Sequence, residues 1–391
     1  MQPSGLRIRL VVPGNVRHNS GGNAYNAALA RELSVLGAAV ETCPLDGDWP
    51  VGSAADRRRL GILLRAGAGG TITLVDGLLA CGAPEELAAA AGAGRPAWIL
   101  MHMPLDDTGA DESALERRAL QKATGVICTS GSAAARIRAR HGMEGIGLSG
   151  ITVALPGAEQ AQLAAGSEPP HLLAVAALLP NKDQSLLIAA LSRLTELPWT
   201  AALVGSDSAD PAYAARLRDT VQRLGLQDRI RIPGELRGGA LDAERAAANL
   251  SLLISRAETY GLVVTESIAR GVPVVVRTGT GAVEALAAGA RPGETTLPGA
   301  AVALGTDPAP LAEVLRRWLT EPALRTRWRT AAMSAREHLP GWDATARTVL
   351  AALDGDPGGD PGGAPSAGRP AAKPQKKTTA DDSPDAQAVG Q

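Results

Sequence analysis

Residues 255–276 read SRAETYGLVVTESIARGVPVVV. Two carboxylates, Glu258 and Glu266, stand eight positions apart around Gly261, and the run continues through Gly271-Val272-Pro273 into an apolar segment. The preceding LSLLIS reads as a buried parallel strand. Tyr260-Gly261 opens a helix whose apolar positions Leu262, Val263, Ile268 and Ala269 are expected to face inward. Gly271 suits the position just past the helix, Pro273 stops any continuation, and VPVVV is the next strand. Strand, tight turn, helix and strand make a βαβ unit, and the loop at the C-terminal end of its first strand is where open α/β sheets take ligands. The free N–H groups of residues 260–263 and the helix dipole favour an anion there by roughly 0.3–2 kcal/mol. Glu258 before the helix and Glu266 within it can accept hydrogen bonds from ligand hydroxyls. A Glu near a helix start also complements the dipole with no ligand at all, so the rest of the chain has to carry the distinction.

The pattern repeats outward from this unit. Strands are expected at 6–13, 38–45, 71–77, 96–104, 125–130 and 151–157, with helices at 24–37, 53–65, 84–91, 112–123 and 132–142 between them. PGAEQAQLAAGSEPP, 156–170, is a linker by composition. Strands then restart at 171–179, 199–207, 229–236 and 251–255, alternating with helices at 183–194, 211–226 and 240–250. Alternation throughout implies an α/β chain, and 391 residues exceed one ordinary core. Phe is absent and aromatics are 2%, so Ala, Val, Leu and Ile must fill the interior. A net charge of −1 argues against nucleic acid as a partner. Cys43, Cys81 and Cys128 form no C-x-x-C pair, which points away from zinc or a disulfide framework and toward a cytoplasmic location. No apolar run approaches the roughly 20 residues that span a bilayer. Peripheral membrane contact stays open through Arg57–Arg59, although a solvated helix face accounts for that run more simply. The segment from Asp354 on, rich in Gly, Pro and Ala, is expected to be disordered.

The opening stretch resembles the Glu-x7-Glu motif of retaining glycosyltransferases of family 4. Ser255, Glu258, Gly261, Glu266, Ala269, Gly271, Pro273 and Val274 match that pattern; Tyr260 stands for the usual Phe and Ile254 for the usual Pro. The resemblance covers about residues 6 to 353. It implies the GT-B fold, two Rossmann-like doubly wound domains facing across a cleft. The implied division is an acceptor domain at 1–155, a linker at 156–170, a donor domain at 171–337, a returning helix at 338–353 and a tail at 354–391. Glu258 would contact the donor sugar and Glu266 the ribose. Tyr260, Gly261, Leu262 and Val263 would meet the sugar or diphosphate, and Gly234, beside Glu235, would lie in the base-binding loop. Lys182 matches the family's diphosphate-binding Lys, but the companion Arg position falls near Ala176; Arg256 and Arg277 are candidates to compensate. The Gly21-Gly22 pair, opening a helix after the first strand, would sit near the diphosphate, with His18 and Asn19 toward the acceptor. His102, ending the strand AWILMH, would face the donor sugar. Gly279-Thr280-Gly281 with Glu284 resembles a further turn near the donor.

The implied activity is metal-independent transfer of a sugar, with retention, from a nucleotide-diphosphate sugar to a small molecule, glycan or lipid-linked acceptor. His102, Lys182 and Glu258 are the catalytic candidates, and no cofactor is needed beyond the nucleotide sugar as co-substrate. Asp46-Gly-Asp48 and Asp354-Gly-Asp356 look like metal motifs but read as solvated loops. A sugar-nucleotide epimerase or hydrolase on the same fold, and a non-catalytic sugar-nucleotide-binding protein, are the alternatives.

Overall fold

The computed structural model describes residues 5–15, 20–66, 69–105, 110–142, 150–291 and 296–355. The first half runs β1 (Arg7–Pro13), α1 (Gly21–Val35), β2 (Ala39–Leu45), α2 (Ala54–Arg65), β3 (Thr71–Asp76), α3 (Gly77–Ala80), α4 (Pro84–Gly92), β4 (Ala97–Met101), α5 (Ala110–Lys122), β5 (Val126–Cys128), α6 (Gly131–His141) and β6 (Ile151–Val153). The second runs β7 (His171–Val175), α7 (Gln184–Leu191), β8 (Thr200–Val204), α8 (Pro211–Arg223), β9 (Ile230–Gly234), α9 (Gly239–Ala247), β10 (Leu250–Leu253), α10 (Leu262–Ala269), β11 (Val274–Arg277), α11 (Ala282–Leu286), β12 (Gly299–Val302), α12 (Ala309–Thr320), α13 (Pro322–Arg336) and α14 (Trp342–Leu353).

Two six-stranded sheets result, ordered β2-β1-β3-β4-β5-β6 and β12-β11-β10-β7-β8-β9. Every pairing is parallel. Parallel strands covered on both faces need near-continuous apolar runs, and LLAV, AALV and VVV supply them. In each sheet the chain reverses its direction of growth once. The first reversal lies between β1 and β3, the second between β7 and β10. A crevice opens outside the strand ends at such a point. These two crevices position everything described below.

The two cores are built alike from aliphatic residues. In the second half, Leu172, Leu187, Ile188, Leu203, Leu217, Leu252, Leu315 and Trp318 pack together. In the first half, Ile8, Leu10, Tyr25, Leu29 and Leu33 also receive Trp342, Ala346, Val349, Leu350 and Leu353 of α14. The final helix therefore packs on the first half, its apolar residues recurring at three- and four-residue intervals. Tyr25 meets Trp342 edge to face at 5.3 Å and 79°. Each large side chain buried there contributes about 1.5–3 kcal/mol.

Some local expectations shift. The first helix begins at Gly21 instead of Ala24, because Ser20 caps it by accepting from the Asn23 N–H at 3.2 Å. In α10 it is Val264, Thr265, Ile268 and Ala269 that are buried, whereas Leu262 and Val263 are half-exposed. These two residues open the helix at the crevice, so the core-facing stripe begins at Val264, two positions later. The tail from residue 356 on, including Asp356, lies outside the described residues.

Candidate active site

The second crevice gathers the candidate donor residues. Lys182 ends a short 3-10 turn after β7, and Glu258 lies in the loop after β10, so the two flank the reversal point. Lys182 Nζ meets Glu258 Oε1 at 2.5 Å, both side chains largely covered. The loops themselves are tied: the Arg256 N–H donates to Asn181 O at 2.8 Å, and the Gly281 N–H to Glu258 O at 2.8 Å.

Asp183 fixes the turn that presents Lys182. Its φ of 57° makes it the non-glycine residue in the left-handed region among the described residues, a conformation Asp tolerates but that costs of order 1–3 kcal/mol. Its buried carboxylate accepts from Arg256 Nε and Nη2, both at 3.1 Å, and from Arg277 Nη2 at 2.5 Å. Arg277 is further committed to the carbonyls of Ile254 and Leu304. Burial lowers its pKa, an effect that Asp183 opposes. Arg277 is thus a buried brace, and its guanidinium does not fill the place left by Ala176. Arg256 shares the same carboxylate but is 60% exposed.

The N-terminus of α10 closes this crevice. Gly261 stands before it at φ 94°, and a Cβ there would lie 2.6 Å from Leu253 Cδ2, so both backbone and packing require glycine. No side chain caps the helix. Its first N–H groups, at Leu262 and Val263, are thus the kind of donors that accept an anion. Glu266, one turn on, is 37% exposed and paired with Arg245 of α9. Tyr260 departs from a surface contact: the residue is 4% exposed within the core, and its hydroxyl has no partner among the described residues. Burial, then the Glu284 carboxylate, raise that phenol's pKa. Gly234 ends the edge strand β9 at φ 83°, on the same side of the sheet but at its periphery.

The first crevice supplies the opposing wall. A methyl on Gly21 would sit 3.7 Å from Leu262 Cδ1, and one on Gly22 3.4 Å from the His102 ring. Gly21 is therefore where α1 approaches α10, and Gly22 where it approaches His102. His102 follows β4; its Nε2 lies 2.9 Å from Asn26 Oδ1 and 3.4 Å from Asp76 Oδ2, and Asn26 Nδ2 donates to Asp76 Oδ2 at 2.8 Å. Tyr25 packs edge-on against the imidazole at 5.2 Å. Burial works to raise the Asp76 carboxyl, but the His102 charge and hydrogen bond, Asn26 and the Leu78 N–H outweigh it and hold it below its ordinary value. Asp76 and Asn26 were not singled out from sequence. A charged residue ending the apolar strand TITLVD was the available signal.

The loop leaving His102 is anchored by residues that sequence reading missed. Glu116 is fully buried; Oε2 accepts from the Leu105 N–H at 2.6 Å, and Oε1 meets His141 Nε2 at 2.7 Å and Arg140 Nη1 at 3.3 Å. Arg140 also donates to Leu105 O. His18 and Asn19, the acceptor candidates, lie outside the described residues.

Glu284 has a different place from the one expected of it. Its Oε1 and Oε2 accept from the N–H groups of Gly131 and Ser132, at 2.9 and 3.1 Å. It therefore caps α6 of the other half across the crevice. The Arg57–Arg59 run is partly used locally, with Arg57 donating to Val51 and Gly52 carbonyls and Arg59 to Asp46 and Asp56. No helix among the described residues is long and apolar enough to cross a membrane.

Comparison with known proteins places these features in context. Residues 157–334 match the family model of glycosyl transferases group 1. The D-inositol 3-phosphate glycosyltransferase of Kineococcus radiotolerans is 32% identical over 203 residues, 49% of this chain and 46% of its own length. The mannosylfructose-phosphate synthase of Agrobacterium fabrum is 34% identical over 117 residues, 28% of this chain and 26% of its own. The chain spans about half the length, or less, of the curated relatives it matches. Among solved structures, a glycosyltransferase from Rickettsia africae superposes with a TM-score of 0.71 at 16% identity, covering 89% of this chain and 98% of that one. Anabaena HepE in complex with UDP-glucose gives 0.68 at 17% identity, covering 89% and 99%. The fold of the chain is GT-B, and its second half is similar in sequence to the glycosyl transferases group 1.

Proposed function

We propose that the chain is a retaining, metal-independent glycosyltransferase that moves a sugar from a nucleotide-diphosphate sugar to an acceptor bound by the first half. The observation that carries this reading is the meeting of Lys182, Glu258 and the uncapped start of α10 at one reversal point, with His102 opposite. Lys182 is then a point charge for the diphosphate, and the amides near Gly261 and Leu262 share that load. The donor competes with Glu258 for Lys182, which releases the Glu258 carboxylate to accept from a sugar hydroxyl. Glu266 accepts from the ribose. His102, oriented by Asn26 and Asp76, faces the transferred sugar. Stabilising the leaving diphosphate by fixed charge and amides is a large contribution in such chemistry, and that positive charge supports a site working without a divalent ion. A phosphate oxygen on the leaving group's own face takes the acceptor proton, so no protein nucleophile is assigned.

A screen of nucleotide sugars against acceptors, with product mass and anomeric configuration read out and chelator added in a parallel arm, tests the reaction. Calorimetry tests the site: Lys182→Ala and Glu266→Ala weaken donor binding by roughly 10- to 100-fold, one charged hydrogen bond being worth about 1.5–3 kcal/mol. Equal binding by both variants and the wild type would sink the assignment. Ala176 in the diphosphate-binding Arg position favours a second reading, a protein that binds the donor without transferring it. Saturable donor binding with no product and no hydrolysis across the screen would select it.

A further inference from the structure

The end of the second sheet opposite the donor crevice holds a cavity of about 370 Å³. Asn249 and Pro273, the residues immediately before β10 and β11, line it. It thus opens at the N-terminal ends of strands whose C-terminal ends carry the donor site. Four residues of strand, roughly 13 Å at about 3.3 Å each, separate the two levels.

Its walls are rich in hydrogen-bond donors and poor in negative charge. Arg325 and Arg329, one turn apart on α13, both line it. Among the described residues neither has a carboxylate partner. Arg325 Nη1 donates to the carbonyls of Trp318 and Leu319, at 3.3 and 2.6 Å, and Arg329 Nη2 to Ala164 O at 2.7 Å. A guanidinium carries five N–H donors, so both retain unused ones. Thr326 and Thr330 add hydroxyls. Asn249 spends its amide oxygen on the N–H groups of Ser167 and His171, at 2.9 and 2.8 Å, which leaves its NH₂ as donor. Trp318 lines the same wall and is 2% exposed. Burial and the neighbouring Arg336 charge lower the Arg329 pKa, as expected of a cation short of a counter-charge.

We propose that this cavity is a second ligand site, one that binds a small phosphate-bearing dianion independently of the donor crevice. Two guanidinium groups balance a phosphate dianion, and arginine matches its oxygens in bidentate fashion. The cavity is larger than one phosphate needs, so a phosphomonoester of a small polyol or sugar fits it as well as the free ion. The threonine hydroxyls and the Asn249 NH₂ are the donors that the remaining oxygens of such a ligand require.

The test is calorimetry of the full chain with inorganic phosphate and, separately, glycerol 3-phosphate, at constant ionic strength in chloride. Saturable binding is expected to persist in Lys182→Ala, which removes the diphosphate cation of the donor site, and to weaken by at least about tenfold in the Arg325→Gln/Arg329→Gln double variant. Phosphate is also expected to change the tryptophan emission of the wild type, and Trp318→Phe to abolish that change. Tighter binding of glycerol 3-phosphate marks the ester as the ligand, and equal binding marks the ion. The proposal is overturned by no saturable heat with either probe, by loss of binding in Lys182→Ala, or by unchanged binding in the double variant. Should the double variant fail to fold, Thr326→Val/Thr330→Val decides in its place, unchanged phosphate affinity overturning the assignment.

Discussion

Gly261 shows how one residue sets the geometry of the donor crevice. Its φ of 94° turns the chain from β10 into α10, and the Leu253 side chain fills the space where a Cβ would go. Gly261→Ala is therefore expected to destabilise the protein by about 1–3 kcal/mol through backbone strain and a displaced Leu253. It also rotates the first amides of α10. Chemical denaturation reads the first effect, and donor calorimetry the second. An alanine variant as stable as the wild type would mean that the turn relaxes easily. Asp183 is the counterpart on the β7 side. It holds a left-handed turn without being glycine because two arginines clamp its carboxylate. The glycine was legible in the sequence, as was Lys182. The clamp was not, since Asp183, Arg256 and Arg277 are scattered along the chain and only the sheet brings them together.

At the level of elements, the strands and helices before residue 277, the short α3 aside, follow from apolar runs and caps that the sequence displays. What sequence pattern does not carry is the pairing of polar side chains between elements. Glu116 on α5, His141 and Arg140 at the end of α6, and the loop after His102 form one buried network, yet α5 by itself reads as an ordinary solvated helix. Glu116→Ala removes the acceptor shared by the Leu105 N–H, His141 and Arg140, and a loss of about 3–5 kcal/mol is expected, with faster amide exchange at Leu105. Unaltered exchange there would show that the loop is held by other contacts. His171, the first residue of β7, gives the second sheet a pH dependence. Burial lowers its pKa below 6.5, against the opposing Glu244 carboxylate. The unfolded chain then binds the proton more readily than the folded one. The stabilisation is complete above the unfolded value near 6.5 and is lost as pH falls through the lower folded value. Denaturation curves from pH 7.5 to 5 should show this decline, and His171→Gln should flatten it.

For the molecule as a whole, the linker, the last helix and Glu284 join the two halves beside the Gly21–Leu262 approach. The linker lies along the second half, with Arg329 and Arg336 donating to the Ala164 and Ala161 carbonyls. The last helix returns to the first half through Trp342 and its neighbours, and Thr345 Oγ1 donates to Leu155 O at 2.7 Å. Both act behind the crevice and suit a hinge. Glu284 acts at its mouth. The start of α6 needs acceptors for its first N–H groups. Ser130 Oγ serves Ala133 at 2.9 Å, and Glu284, from the other half, serves Gly131 and Ser132. A carboxylate at a helix N-terminus is favoured by the dipole as well. Opening the crevice would strip both N–H groups of their partner, so Glu284 ties the closed form to the capping of a helix. A Gly-rich turn followed by Glu was visible in the sequence, but its partner 153 residues away was not. Glu284→Ala should remove about 1.5–3 kcal/mol from closure and shift the closed-to-open ratio by about tenfold or more. Small-angle scattering is expected to show a larger radius of gyration for the variant, with donor affinity reduced because the Gly21–Leu262 approach is lost. Unchanged dimensions together with unchanged donor affinity would mean that the hinge contacts alone hold the halves closed.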